Sequence, residues 1–355
     1  MPSFCGAYGA MEIFMFRGWG MFFLTLALLL SACGGSSQDY EDYEPDVVLR
    51  VAFENSLYEP IGIAMLSWKD SLHAMDIGFN IELFPYGQMA MADAIQYIQD
   101  GEGVMTLADG AFFADLGIHD LGIVFGAFLF NNWEEVWALN SSTWFAEQMD
   151  MLGSHGMVGL SHNWKFSERH LMTSVPVHNV YELGGLRIRV PNNNVQALGL
   201  DAMGANTTAM GLGDVHGALQ SGTIDGVENP LSVLYNRRFY DAAGYIILTG
   251  HILNATTWIT SNNWFNDLTI EQQNALTQTL NTAANHNNNL LANSNEEYMQ
   301  MLQEAGVTFY KPTNETLQGF RERAQVLYTW GETFGWSKGL YEIVRDAILE
   351  AKEYE

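Results

Sequence analysis

The chain has 355 residues, of which 41 are acidic and 15 are Lys or Arg, so its formal net charge is −26. Nucleic acids and anionic membrane surfaces are poor partners for such a chain, because binding to them needs clustered positive charge. Hydrophobic residues make up 48% of the sequence, which is enough for a large core and, at this length, for two domains. Its two cysteines, Cys5 and Cys33, exclude a disulfide framework and a four-thiolate zinc site.

The N-terminal region is typical of an export signal. The uninterrupted apolar run WGMFFLTLALLL, at residues 19–30, has the length of a signal-peptide core and is too short to span a bilayer comfortably. The residues LSACGGSS that follow resemble a bacterial lipobox, whose cysteine is lipidated and becomes the new N-terminus. We therefore predict a lipoprotein signal peptide at residues 1–32, with translation from Met11 or Met15, and lipidation at Cys33. The alternative is an N-terminal hairpin that buries Cys33.

A polar segment and then alternating strand and helix signals follow. Residues 33–46 are acidic and almost free of apolar side chains, which is typical of a flexible tether. The hydrophobic pattern then predicts strand, helix, strand, helix, strand and helix at residues 47–53, 63–75, 79–85, 91–100, 104–110 and 134–149. This order favours a mostly parallel sheet with helices on its faces.

The rest of the chain repeats the alternation and adds a long helix. Strands are predicted at residues 156–164, 169–174, 186–191, 224–227, 245–251 and 256–262, and helices near 195–204 and 214–222. Residues 269–305 lack Gly and Pro and begin with a Thr cap, so they predict one helix of about ten turns. Seven Asn residues lie between 281 and 295, and we expect them to form a solvated face of this helix.

Motifs of common enzymes are absent from the sequence. It contains no H-E-x-x-H, G-x-S-x-G or Walker motif, and its nine His residues show no metal-site spacing. Asp225 and Glu228, three residues apart in DGVEN, can be interpreted as the carboxylate pair of an exported glycoside hydrolase. Such pairs normally face each other from different elements, so a hydrolase is the alternative function rather than the favoured one. No metal and no cofactor are predicted.

Two arginines interrupt an otherwise apolar strand. Arg187 and Arg189 lie in LRIRVP, where the two-residue period of a strand places both on one face, opposite Ile188. If the strand is half-buried, at least one guanidinium needs an anionic partner. The pattern alone does not distinguish an anion-binding arginine from a surface pair that balances a nearby acid.

Residues 183–254 carry the motifs of a known family. The segments LRIRVP, GANTTAM, DVHGALQSGTIDGVENP and RRFY resemble the patterns L-K-G-L-K-I-R-V-P, G-A-x-P-T-P-M, E-V-Y-x-A-L-Q-x-G-x-V-D-G-x-E-N-P and K-F-Y-E of DctP-type solute-binding receptors. These receptors serve TRAP (tripartite ATP-independent periplasmic) transporters. Upstream, IELFPYGQM and IQDGEGVMTLADGAFF are similar to further segments of the family.

The resemblance implies an α/β periplasmic-binding-protein fold, in which two α/β domains joined by crossing strands enclose a ligand cleft and a long helix bridges both. We expect domain I at residues 47–166 plus 255–294, and domain II at residues 167–254 plus 295–355. The implied function is that of a receptor, not an enzyme. It captures an organic acid anion by its carboxylate and delivers it to the transporter's membrane subunits, from the periplasm or the outer cell surface.

The resemblance also implies the ligand-binding residues. Arg189, in R-V-P, matches the family's carboxylate-binding arginine, and a guanidinium suits this role because its fork of donors matches a carboxylate bidentately. Arg187 is expected at the surface. The other implied positions are a second arginine, the polar residue of E-N-P, two further contacts and the residue in place of the family's Phe, namely Arg169, Asn229, Asn192, Asp109 and Leu212. Trp164 is interpreted either as a wall of the cleft or as a core residue.

Overall fold

The computed structural model describes residues 47–353, so the predicted signal peptide, the tether and Cys33 lie outside the described residues. The strands of this range are β1 (Val47–Ala52), β2 (Phe79–Phe84), β3 (Val104–Ala108), β4 (Met157–Thr173), β5 (Arg187–Val190), β6 (Asn206–Ala209), β7 (Gly226–Asn229), β8 (Tyr245–Ser261) and β9 (Thr308–Tyr310). The α-helices are α1 (Pro60–His73), α2 (Met91–Gln99), α3 (Gly110–Asp115), α4 (Trp133–Ser141), α5 (Thr143–Asp150), α6 (Asn194–Ala202), α7 (Val215–Gln220), α8 (Leu231–Asn236), α9 (Asn262–Asp267), α10 (Ile270–Glu304), α11 (Asn314–Ala324) and α12 (Leu340–Glu353).

These strands form one continuous sheet in the order β2-β1-β3-β8-β4-β7-β5-β6, and β9 pairs with β8. We call β1, β2 and β3 the N-terminal half of the sheet, and β5, β6 and β7 its C-terminal half. Pairing is parallel within each half, whereas β4 and β8 run antiparallel to each other through the centre. The predicted mostly parallel sheet is therefore confirmed in each half, and the two long central strands make the antiparallel part.

The two central strands are longer than predicted. β4 and β8 each span 17 residues, whereas the sequence analysis divided each of them into two strands. In β4, polar residues such as Lys165 and Glu168 interrupt the apolar pattern, so the sequence predicts a break there. These residues lie near shifts in the register of β4 with β8. Conversely, the single helix predicted at residues 134–149 is two helices, because Ser142 has extended backbone angles and its hydroxyl caps α5 by accepting the N–H of Phe145.

Helix α10 confirms the long predicted helix. Its N-terminus is a capping box, in which the Thr269 hydroxyl accepts the N–H of Gln272 while the Gln272 side chain accepts the N–H of Thr269. Leu276 and Leu280 are fully buried in an apolar cluster with Trp68 of α1. The helix also packs on β4 and α8, so it contacts elements on both sides of the central strands.

The Asn-rich face of α10 binds the main chain of β4. The Asn288 side chain accepts the N–H of Lys165 at 2.9 Å and donates to the carbonyl of Asn163 at 2.8 Å. Asn287 donates to the Lys165 carbonyl at 3.0 Å. We call these contacts the asparagine clip. The expectation of a wholly solvated face is therefore wrong for Asn287 and Asn288, whose amides replace bonds that the irregular pairing of β4 does not make.

Close packing in the C-terminal half of the sheet explains one glycine of the DGVEN segment. A Cβ on Gly226 would lie 2.6 Å from the Met172 carbonyl oxygen and 2.9 Å from the Ile188 side chain. Any larger residue would therefore push β7 away from β4 and β5, which flank it. Glycine at this position keeps the polar residues at the end of β7 next to both neighbouring strands.

The described residues form one compact unit. Helix α12, predicted for domain II, packs on α4 and α5, which were predicted for domain I. The boundaries of the two domains stay a prediction. Within residues 47–353 no helix combines the length and the apolar character that a membrane span needs.

Candidate functional site

A cavity of about 510 Å³ lies where strand ends from both halves of the sheet meet β4 and β8. Glu54 follows β1 and Asp109 follows β3, while Pro191 and Asn229 stand at the ends of β5 and β7. Asn254 of β8 lines the base. Ligands of α/β proteins bind outside the carboxyl ends of strands, and a cavity of this size accommodates a small organic molecule.

Arg189 is the cationic residue that β5 supplies to the cavity. Arg189 is only 4% exposed, and its Nε and Nη2 donate to the Met210 carbonyl at 3.0 and 2.7 Å. Burial lowers the pKa of Arg189, partly offset by the negative charge of Glu228. Among the described residues no carboxylate forms an ion pair with this guanidinium. Arg189 is therefore a buried, oriented cation with its Nη1 free to bind an anion.

Arg169, the second predicted arginine, also lines the cavity but already has an anionic partner. Its Nε and Nη2 donate to the two carboxylate oxygens of Glu228 at 2.5 and 2.7 Å. Burial opposes the ionisation of Glu228, but the charge and hydrogen bonds of Arg169, with a smaller effect of His251, lower its pKa to about 2. The positive charge of Arg169 is thus balanced within the protein.

Asn229 is positioned by this ion pair. Residues 170 and 229 are opposite each other in the antiparallel β4–β7 pairing, which brings Arg169 Nη2 within 3.2 Å of the Asn229 side-chain oxygen. That contact fixes the orientation of the amide, because its oxygen must be the acceptor. The Asn229 Nδ2 is buried and has no hydrogen-bond partner among the described residues. Leaving a buried donor without a partner costs free energy. Because Asn229 lines the cavity, an acceptor on a ligand in the cavity can be that partner.

Three further predicted residues line the same cavity. Asn192 and Leu212 lie in the segments after β5 and β6, and Asp109 directly follows β3. Asp109 is the N-cap of α3, where its Oδ1 accepts the N–H groups of Ala111 and Phe112 at 3.0 and 3.2 Å. Burial raises the pKa of Asp109, against the lowering effect of these two bonds and of Arg169.

Trp164 does not line the cavity. It is fully buried in the apolar cluster beneath the N-terminal half of the sheet, packed edge-on against Trp258 with ring centroids 5.6 Å apart. Its indole N–H donates to Ser161 at 3.0 Å. Of the two interpretations of Trp164, the core residue is the one that this position supports.

The carboxylates of the alternative hydrolase are both paired with arginines. The Asp225 carboxylate accepts from Arg187 at 2.8 and 2.7 Å near the start of β7, and Glu228 is paired with Arg169 as described. Asp225, in the first pair, does not line the cavity. In the second pair, Arg169 lines it. A glycoside hydrolase needs one carboxyl group that stays protonated and acts as the general acid. Because the ion pairs lower the pKa of both Asp225 and Glu228, neither provides that acid, and the hydrolase alternative has no support.

The cavity also contains residues that the sequence analysis missed. Glu54 and Asp115 carry acidic side chains, and Gln196 and Asn254 carry buried amides that each have an atom without a partner among the described residues. Gln196 follows R-V-P by only five positions, so its place after β5 was a usable signal. Asn254 lies inside β8, and no local pattern marked it. Within residues 47–353 no group of three or more His, Cys, Asp or Glu side chains is arranged to hold a metal ion.

Comparison with protein families gives one match that covers most of the chain. The model of the DctP family, described as bacterial extracellular solute-binding protein, family 7, matches residues 52–333. Among curated proteins, the chain is 22% identical over 245 residues to the C4-dicarboxylate-binding periplasmic protein DctP of Rhodobacter capsulatus. That alignment covers 68% of this chain and 73% of the relative.

Solved structures give the same result. A TRAP periplasmic solute-binding protein from Ochrobacterium anthropi with bound L-fuconate is similar, with a TM-score of 0.76 and 30% identity, over 85% of this chain and 99% of that one. A second, from Actinobacillus succinogenes 130z with bound L-galactonate, has a TM-score of 0.75 and 28% identity over the same shares of the two chains.

Proposed function

Since the chain belongs to the DctP family of bacterial extracellular solute-binding proteins, we propose that it captures an organic acid anion by its carboxylate and delivers it to the membrane subunits of a TRAP transporter. Family membership confirms the predicted binding-protein fold and the predicted role of an exported solute receptor rather than an enzyme. The hydrolase alternative has no support among the relatives. The carboxylate contacts, the partner and the membrane anchor belong to the proposal.

The observation that carries the proposal is the state of Arg189. A guanidinium in a cavity, 4% exposed and without a carboxylate partner among residues 47–353, is costly unless an anion joins it. Its two bonds to the Met210 carbonyl orient the side chain before ligand arrives. The unpartnered Nδ2 of Asn229 supplies a second donor in the same cavity. Relatives with bound L-fuconate and L-galactonate, both carboxylates, support this assignment.

Replacing Arg189 tests the proposal directly. Removing one partner of a desolvated charge pair typically costs about 2 to 5 kcal/mol, or roughly one and a half to four decades of affinity. We expect Arg189→Ala to lose organic acid binding in calorimetry, and Arg189→Lys to bind poorly because an ammonium keeps the charge without the bidentate geometry. The probes are L-galactonate, L-fuconate, succinate and benzoate, which cover hydroxy, dicarboxylic and aromatic acids.

Arg187→Ala is the matched control for this experiment. Arg187 lies two residues away on the same strand, but its guanidinium is paired with Asp225 and does not line the cavity. We expect Arg187→Ala to retain near-normal affinity. An Arg189→Ala protein that still bound its acid, or a larger loss of affinity in Arg187→Ala, would contradict the assignment.

Anchoring at Cys33 is proposed from the sequence alone, since this residue lies outside the described range. If the lipobox is used, Cys33→Ala abolishes lipid attachment and leaves a folded, ligand-binding protein in the soluble fraction. The matched control is Ser36→Ala, a small change three residues after Cys33 that leaves the cysteine in place. Fractionation of cells after metabolic labelling with a palmitate analogue measures both variants. Persistent labelling of the Cys33→Ala protein would rule out this anchor.

A further inference from the structure

Two methionines line the cavity at the strand ends. Met89 lies in the loop that follows β2, and Met91 is the first residue of α2. Both are half-buried rather than enclosed in the core, and the cavity has room for solvent and for small solutes beside them. A dissolved oxidant that enters the cavity can therefore reach their sulfur atoms.

The loop that carries Met89 is attached to the cavity wall through its main chain. The N–H of Tyr86 donates to the carbonyl of Asn55, and the N–H of Gly87 donates to the carbonyl of Phe53, both at 3.1 Å. Phe53 and Asn55 themselves line the cavity. These bonds hold the loop against the end of β1, so the two methionines belong to the wall of the cavity.

The surroundings of these methionines suit an apolar side chain. Met89 packs on the apolar cluster that contains Ala94 and Ile98 of α2. The rings of the same wall are all phenylalanines, at positions 53, 112, 125 and 166. A thioether packs well among such groups, because it is apolar and flexible. The methionines therefore offer a bound ligand an apolar surface.

Oxidation would change this surface in a defined way. A peroxide transfers one oxygen atom to the methionine sulfur, which loses two electrons and becomes a sulfoxide, while the O–O bond breaks and the peroxide is reduced to water or an alcohol. The new oxygen is a polar acceptor. A ligand that displaces water from this oxygen without donating to it leaves a polar group unpartnered, which weakens binding.

We propose that Met89 and Met91 are a reversible oxidation site, at which peroxide converts the thioethers to sulfoxides and thereby lowers the affinity of the cavity for its ligand. The proposal rests on the proposed function, because ligand capture is the activity that oxidation would reduce. The setting agrees with it, since an exported protein works in an oxidising compartment and methionine sulfoxide is reduced enzymatically.

A double variant, Met89→Leu with Met91→Leu, tests the proposal. Leu is close to Met in volume but has no sulfur to oxidise. Both proteins are titrated by calorimetry with L-galactonate, L-fuconate, succinate and benzoate, before and after treatment with hydrogen peroxide. We expect oxidation to weaken binding to the unmodified protein by roughly tenfold and to leave the affinity of the double variant nearly unchanged.

Met75→Leu with Met151→Leu is the matched control. These two methionines are 46% and 47% exposed, more than Met89 and Met91, and they do not line the cavity. We expect this control to lose affinity on oxidation as the unmodified protein does. Peptide mass spectrometry of the unmodified protein measures the sulfoxide at each position. A saturating acid should slow oxidation at positions 89 and 91 but not at 75 and 151.

Reversal provides a test that needs no variant. Treatment of the oxidised, unmodified protein with methionine sulfoxide reductase and a thiol reductant should remove the sulfoxides at positions 89 and 91 and restore the affinity measured before oxidation. Affinity that stays low after both sulfoxides have been removed would overturn the proposal, because the loss would then come from another change in the protein.

The remaining outcomes separate this proposal from the proposed function. The oxidation site would be overturned by unoxidised Met89 and Met91 in a protein whose Met75 and Met151 are sulfoxides, or by unchanged affinity with both wall residues oxidised. An equal loss of affinity in the Met89→Leu, Met91→Leu variant would assign the effect to another methionine. In each case, binding that depends on Arg189 would leave the proposed function intact. Failure of every acid to bind before oxidation would overturn both.

Discussion

Strand β5 carries an arginine near each of its ends, and the surroundings of these two residues differ. Arg187 forms a closed ion pair with Asp225 at a partly exposed site, with bonds of 2.8 and 2.7 Å. Arg189 lies in the cavity with only a backbone carbonyl as partner among the described residues. The pair of Arg169 and Glu228 is buried, and its two charges balance each other. The comparison teaches that an arginine marks a ligand site when its charge is left unbalanced, not merely when it is buried.

The largest effect is expected from breaking the buried ion pair. Glu228→Gln leaves the Arg169 charge uncompensated in the interior, which typically costs about 3 to 5 kcal/mol of unfolding free energy. Asp225→Asn is the matched change at the other end of β7, and exposed pairs are worth about 0 to 1 kcal/mol. Urea denaturation of both variants measures the difference. Equal losses in the two variants would show that burial does not distinguish the pairs.

Acid should lower the stability of the protein through the same buried carboxylate, that of Glu228. The pKa of Glu228 is lowered from 4.5 to about 2 in the folded protein, so the unfolded chain binds its proton first as the pH falls. The stabilisation by Glu228 is complete above pH 4.5 and is lost as the pH falls toward about 2, a loss on the order of 3 kcal/mol.

Urea midpoints between pH 5 and pH 2 measure this dependence. The slope of the midpoint against pH should be shallower in Glu228→Gln than in the unmodified protein. In Asp225→Asn the slope should change little, because that carboxylate is partly exposed. An unaltered slope in Glu228→Gln would assign the acid sensitivity to other groups.

The smallest change in unfolding free energy is expected at Arg189, whose replacement should have the largest effect on ligand affinity. Arg189→Leu removes two bonds to the Met210 carbonyl, each worth about 1 kcal/mol net, but it also removes a desolvated cation without a carboxylate partner among residues 47–353. The unfolding free energy should therefore change by less than about 1 kcal/mol. Thermal denaturation without ligand measures this, and a loss of more than about 2 kcal/mol would assign Arg189 a structural role.

Local patterns were sufficient for most of the elements that build the cleft. The alternation in residues 47–53 and 79–85 predicted β1 and β2, and the capped, Gly-free stretch from Thr269 predicted α10. The position of Arg189 before Pro191, at the carboxyl end of a strand, was also visible in the sequence. These features depend on residues that are close in the chain, and so the sequence alone contains them.

Features that depend on pairing between distant segments were not predicted. The sequence allows Glu228 to be interpreted as one carboxylate of a hydrolase pair, because nothing near it in the sequence shows that β7 lies beside β4 and brings Arg169 to it. The same applies to Trp164, whose packing against Trp258 joins strands almost a hundred residues apart. The asparagine clip is a third case, since a run of Asn on a helix resembles a solvated face until the irregular stretch of β4 is placed against it.

The asparagine clip determines which substitutions the protein tolerates in β4 and in α10. All three of its bonds go to main-chain atoms of β4, at residues 163 and 165. Residue 165 can therefore be replaced without loss of these bonds, provided that the new residue is not proline, which has no N–H to give Asn288. Asn288 has no such freedom, because only an amide side chain donates to a carbonyl and accepts an N–H in the same place. Asn287 needs a side-chain donor of the same reach for its bond to the Lys165 carbonyl. We expect homologues with this clip to vary on the strand and to retain asparagine on the helix.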